Sequence, residues 1–181
     1  MPPEGEAPVA RVVLVGLMGS GKSAVGGVLA RRLGWEHLDL DREIETREGR
    51  TIPEIFRTEG ERRFRALEAE VTADLAGRSA VVLSPGGGWI TNPALLERLG
   101  PGTLSVWLRV SPETVLARVA RSRGDRPLLD VPDPLAALRR LLREREPFYA
   151  RTDLAVDTDG RSVAEVVALV EEATRRRGTG V

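Results

Sequence analysis

The stretch Arg11-Val12-Val13-Leu14-Val15-Gly16-Leu17-Met18-Gly19-Ser20-Gly21-Lys22-Ser23 decides the fold. Its first five residues form a nearly continuous apolar, β-branched run, as expected of a strand buried on both faces. The next eight fit G-x-x-x-x-G-K-[ST], the loop that cradles phosphates. Val25, Val28, Leu29 and Leu33 then follow at helical spacing, and Gly34 closes the run. Strand, glycine loop and helix in this order make a phosphate seat. The backbone N–H groups of Gly19, Ser20, Gly21, Lys22 and Ser23, with Ala24 beside them, lie at a helix N-terminus that favours anions. Lys22 is placed to neutralise β/γ-phosphate charge, and the Ser23 hydroxyl to ligate Mg²⁺.

Lys22 is the only lysine among 27 Lys and Arg residues, so 26 are arginine. A compact ammonium can reach between phosphates at the mouth of a tight loop, which a broad planar guanidinium does poorly. Composition sets the other bounds. A chain of 181 residues with 41% hydrophobic and 30% charged content is ordinary for one globular domain. A formal net charge of zero argues against nucleic acid or an anionic membrane as the main partner. The absence of cysteine excludes disulfides and thiolate chemistry. The acidic, Pro-rich start at Met1–Pro8 reads as a disordered tail, unlike a basic-then-apolar signal peptide. A cytoplasmic protein is expected, and its size without an obvious apolar stripe predicts a monomer.

Beyond the loop, strands and helices alternate. Strands are predicted at Trp35–Leu40, Ala80–Ser84, Thr103–Val110 and Leu154–Asp157. Helices are predicted at about Asp41–Glu48, Thr51–Leu75 with a break near Gly60, Leu135–Glu146 and Val163–Arg176. Two further helices start from Asn92 and Ser111 as caps, each with proline at the first helical position. The Gly- and Pro-rich stretch Ser122–Pro134 interrupts the alternation as a mobile excursion, and residues 177–181 read as a second tail. This is an α/β fold with a mainly parallel sheet, whose ligands sit at the carboxyl ends of the strands. The phosphate loop, Asp39-Leu40-Asp41 and Gly86-Gly87-Gly88 each follow a predicted strand, so all three fall on one rim.

Several of these residues carry plausible chemistry. Of Asp39 and Asp41, one can hold Mg²⁺ through its water shell and the other can orient an acceptor hydroxyl, although Asp41 alone would also serve as a helix cap. Gly86, Gly87 and Gly88 expose backbone N–H groups and allow close approach of a ligand. Arg126 lies in the excursion, where an arginine can swing over phosphates; as one of 26 it would equally serve as surface charge. Glu68 stands three residues from Arg65, a spacing that pairs the two. Phe56 and Phe64 read as core or cleft walls. His37 reads as structural, and Arg175–Arg177 as favourable charge at a helix end.

Five ordered elements make the chain resemble the shikimate kinases. They are Gly16–Ser23, Asp39-Leu40-Asp41, Phe64-Arg65 with Glu68, Ser84-Pro85-Gly86-Gly87-Gly88, and Arg126-Pro127-Leu128-Leu129, supported by Arg145-Glu146-Pro147-Phe148-Tyr149. The resemblance spans residues 11–172. It implies a three-layer P-loop kinase fold, nucleoside-monophosphate-kinase-like, with a five-stranded parallel sheet flanked by helices. Residues 9–176 would form that domain, with substrate-binding helices at about 41–75 and a mobile lid at about 122–134. The implied reaction moves the ATP γ-phosphate to the 3-hydroxyl of shikimate. By the same resemblance Asp41 binds substrate hydroxyls and acts as base, Arg65 and Arg145 clamp the carboxylate, and Gly87 gives a backbone contact. Asp39 serves Mg²⁺ beside Ser23, Arg126 comes down with the lid, and Arg161 belongs to the adenine loop. Leu40 and Trp89 stand where smaller or polar residues are commoner. The nearest alternative is gluconate kinase or another small-molecule kinase on this scaffold. A GTP-dependent switch is excluded, because its Asn-Lys-x-Asp motif needs a second lysine.

Overall fold

A computed structural model of the chain describes residues 8–121 and 130–179, with side chains as far as Arg177. Arg126 and most of the expected lid lie outside the described residues. Five strands, β1 (Arg11–Val15), β2 (Glu36–Asp39), β3 (Val81–Ser84), β4 (Thr103–Arg109) and β5 (Leu154–Asp157), form one sheet. Their order is β2-β3-β1-β4-β5, and every pairing is parallel. All five residues of β1 are buried, because it pairs on both edges and is covered on both faces.

The period-two alternation of β1 divides its side chains between two apolar layers. Val12 and Leu14 pack with Val25 and Leu29 of α1 (Lys22–Leu33) and with Val166, Val167 and Val170 of α7 (Val163–Thr179). Val13 and Val15 face the other way, onto α2 (Leu40–Glu48), α3 (Ile52–Leu75), α4 (Pro93–Leu99), α5 (Pro112–Arg121) and α6 (Pro134–Tyr149). The result is the expected three-layer α/β/α fold.

Several boundaries differ from the sequence reading, each for a local reason. β2 passes into α2 with no loop between them, so Asp39 caps α2, accepting from Arg42 N–H at 3.3 Å. Asp41 is thereby released from the capping role and stands in the first helical turn. Asn92 precedes α4 but makes no side-chain capping bond, whereas Ser111 caps α5 through Thr114 N–H at 3.2 Å. Helix α6 starts at Pro134 behind the Asp133 cap and runs through Pro147 to Tyr149. A proline near a helix end removes only one late N–H, and burial of Tyr149 holds the last turn in place. Helix α7 continues to Thr179, past the predicted end at Arg176. Within α3, Gly60 (φ 79°, ψ 178°) breaks the helical path where a break was predicted, and Thr51 with Glu54 closes a capping box at its start.

At the end of the sheet opposite the phosphate loop, the Arg11 guanidinium is buried among oxygen acceptors. It donates to Arg78 O at 2.7 Å, Leu99 O at 2.6 Å, Pro101 O at 2.9 Å and Thr103 Oγ1 at 3.2 Å. The α3–β3 and α4–β4 connections thus converge on one side chain. Arg11→Met removes every donor and strands buried carbonyls, so it is expected to cost about 2–4 kcal/mol. Thermal unfolding checks this, with a fall in Tm of roughly 5–15 °C.

Candidate active site

The loop after β1 closes on itself. The Lys22 ammonium donates to Gly16 O at 2.8 Å and Leu17 O at 2.9 Å, which holds it over the loop's mouth. The Ser23 hydroxyl, one residue into α1, donates to Asp39 Oδ2 at 3.0 Å. Hydroxyl and carboxylate oxygens are the hard donors that Mg²⁺ takes, usually with water and phosphate completing its shell. Among the described residues no cluster of three or more His, Cys, Asp or Glu could hold a metal. A cation seated here would therefore depend on a phosphate ligand for much of its coordination. Asp39 combines this position with its duty as cap of α2.

A cleft runs from Met18 and Lys22 past Asp39 and Asp41 to Gly86 and Gly87. Its far side is built on the triple glycine after β3, where each glycine makes room for a different side chain. A methyl group on Gly86 would come 3.2 Å from Asp41 Oδ1, and one on Gly87 would come 2.7 Å from an Arg145 guanidinium nitrogen. A methyl on Gly88 would come 2.8 Å from an Arg65 guanidinium nitrogen. The glycines are thus the shared wall against which one carboxylate and two guanidiniums from α2, α3 and α6 converge. Two planar cations around one cleft match a carboxylate ligand in shape and charge.

Arg65 is held from behind. Arg65 bonds Glu68 at 2.7 Å and Glu61 at 3.1 Å, and its guanidinium lies 5.5 Å from the centroid of the Phe64 ring. Glu68 is 1% exposed. Burial pushes its carboxyl above the ordinary range, against the pull of Arg65. Thr72 donates to Glu68 O at 2.6 Å and accepts from Trp89 Nε1 at 3.0 Å, so the unexpected tryptophan braces this turn of α3. Burial pushes the Tyr149 phenol above its ordinary range, against the pull of the nearby Arg145 charge. That phenol donates to Gly87 O at 3.1 Å, and its ring stacks on Trp107. Phe56, 39% exposed, leans on buried Phe64.

A profile of the shikimate kinase family matches residues 18–175. The chain belongs to the shikimate kinase family. A shikimate kinase of Thermus thermophilus is 47% identical over 169 residues, covering 91% of this chain and 90% of the relative. That of Symbiobacterium thermophilum is 46% identical over 170 residues, covering 92% and 97%. Among solved structures, shikimate kinase from Acinetobacter baumannii in complex with shikimate superimposes with a TM-score of 0.83. It is 39% identical and covers 91% of this chain and 92% of its own.

Within this shikimate kinase fold, Lys22, Ser23, Asp39, Asp41, Arg65, Gly86–Gly88 and Arg145 lie together around one cleft. Arg161 does not join them: it is exposed beyond β5, in a separate surface hollow with Asp157 and Glu172. One residue escaped the sequence reading altogether. Arg118 of α5 donates to Gly19 O at 2.9 Å and Thr158 O at 3.1 Å, tying the phosphate loop to the β5–α7 turn. Its only sequence signal was a place on α5 beside Val115 and Val119, and in a chain of 26 arginines that is too little.

Asp41 is the electrostatic centre of the cleft. Burial, and then the nearby Asp39 charge, push its carboxyl up to about 6, with Lys22 and Arg65 pulling the other way. Its Oδ1 is buried and has no hydrogen-bond partner among the described residues. The folded carboxyl therefore keeps its proton to about pH 6, whereas an unfolded one releases it near 3.8. Between these values the folded state binds more protons, so stability falls as pH rises through that window. Asp41→Asn cannot ionise. In metal-free buffer it is expected to be about 3 kcal/mol more stable than the parent at pH 8, with most of the difference lost by pH 4. Thermal melts across that range read the sign directly.

Proposed function

We propose that this chain transfers the γ-phosphoryl group of ATP to the 3-hydroxyl of shikimate, giving shikimate 3-phosphate and ADP. The observation that carries the reading is the convergence of Asp41, Arg145 and Arg65 on Gly86, Gly87 and Gly88, on the same rim as an intact phosphate loop. ATP lies with its β- and γ-phosphates over Gly19–Ala24, where the helix N-terminus and the Lys22 ammonium balance their charge. Ser23 and Asp39 hold Mg²⁺, which neutralises charge on the transferring phosphate when bound. Arg65 and Arg145 take the carboxylate of shikimate and orient the ring. Gly87 contributes a backbone contact to the same acceptor.

The acceptor hydroxyl then lies against Asp41. Its oxygen forms a bond to the γ-phosphorus as the bond to the β,γ-bridging oxygen breaks, and the hydroxyl proton passes to Asp41. With a carboxyl near 6, Asp41 is ionised at neutral pH yet basic enough to accept that proton. Catalysis on this account comes mainly from positioning and charge neutralisation, with Arg126 adding a cation at the phosphates. The protein works as a cytoplasmic monomer on small molecules and not on nucleic acid.

Release of ADP from Mg-ATP is measured against shikimate, gluconate and nucleoside monophosphates. Turnover is expected with shikimate alone; turnover with gluconate and none with shikimate would overturn the assignment. Arg145→Ala should raise KM for shikimate by about 10- to 100-fold, the worth of a charged hydrogen bond, and leave KM for ATP nearly unchanged. An equal rise for both substrates would contradict the carboxylate clamp.

A further inference from the structure

The chain's one histidine lies behind the phosphate loop and takes no part in the chemistry above. His37 Nε2 is 3.0 Å from Ser84 Oγ. Ser84, buried at the carboxyl end of β3, donates that hydroxyl proton to Lys22 O at 3.1 Å. A hydroxyl has a single proton to give, so the ring must be the donor to Ser84. A directed chain therefore runs from His37 N–H to Ser84 O–H to the Lys22 carbonyl, joining β2, β3 and the first turn of α1. The space for it is left by Gly26, where a methyl group would come 2.6 Å from His37 Nε2 and 2.8 Å from Ser84 Oγ. Burial holds the ring's pKa below its ordinary value.

The Lys22 carbonyl shares one planar peptide unit with the Ser23 N–H, and the two point in opposite directions. In the first turn of a helix that N–H points out of the N-terminus, here toward the phosphate seat. Fixing the carbonyl from the sheet side therefore fixes the aim of the N–H on the ligand side. Linked hydrogen bonds also polarise one another, which strengthens the terminal donor. We propose that His37 and Ser84 are positioning residues for phosphate binding, acting through the Lys22–Ser23 peptide on the nucleotide and not on the acceptor. This rests on the reading of Gly16–Ser23 as the nucleotide's phosphate seat.

Ser84→Ala and His37→Phe should each weaken Mg-ADP binding by calorimetry, and raise KM for ATP, by about three- to tenfold, the worth of one hydrogen bond. KM for shikimate should stay within about twofold of the parent value. His37→Gln, which keeps a side-chain N–H in reach, should restore most of the ADP affinity. Because His37 acts through Ser84, the double variant should bind ADP no more weakly than Ser84→Ala alone. Parent-like ADP binding in both single variants would overturn the proposal, as would additive losses in the double variant. A parallel weakening of ADP and shikimate that tracks a fall in Tm would overturn it too, since that is the mark of mere packing. Lys22→Ala separates the two levels of the argument. Normal ADP binding there would sink the phosphate-seat reading itself, whereas loss in Lys22→Ala beside parent-like Ser84→Ala would remove the dyad alone.

Discussion

The parallel pairing of β1 with β3 on one edge and β4 on the other constrains everything else in this molecule. A strand whose five side chains are all buried has to be central, and parallel neighbours bring the carboxyl ends of all five strands to the same rim. The chain leaves β1 into the phosphate loop, β2 into Asp39 and Asp41, and β3 into the triple glycine. The helices of one layer then need only deliver Arg65 and Arg145 to that rim, and α3 brings Arg65 to Gly88 while α6 brings Arg145 to Gly87.

The side of the cleft that carries Asp41, Arg65 and Arg145 is strongly charged. Burial, and then the nearby Asp39 charge, raises the Asp41 carboxyl, and its Oδ1 has no hydrogen-bond partner among the described residues. Arg65 is drawn back by buried Glu68, and the Arg145 guanidinium lies against Gly87. Groups arranged in this way lose little freedom when a charged ligand arrives, because their orientation is already fixed. The cost appears as an unfavourable Asp41 in the empty protein. That is the familiar exchange between stability and activity at a working site.

Much of this was legible in the sequence, because strand runs and glycine loops are local signals and the rim follows from them by topology. The Arg65–Glu68 pair was legible for the same reason, as helical spacing alone places them together. Other features depend on contacts between remote parts of the chain. That Asp39 and not Asp41 caps α2 follows from β2 entering the helix without a loop, which no pattern of residue types announces. The persistence of α6 through Pro147 depends on Tyr149 finding Gly87, sixty-two residues away in sequence. Arg118 could not be told from its fellow arginines until Gly19 and Thr158 were brought to it. His37 read as structural because its partner, Ser84, is 47 residues distant.

The loop's grip on Lys22 has a chemical consequence as well. No other residue in the chain bears a side-chain amine, and this one is held by the carbonyls of Gly16 and Leu17 at the bottom of the cleft. A reagent that acylates amines thus meets a single side-chain target, and that target is the phosphate seat. The composition that looks like a simple preference for arginine turns the seat into the protein's own address for selective labelling. A bound nucleotide would be its natural shield.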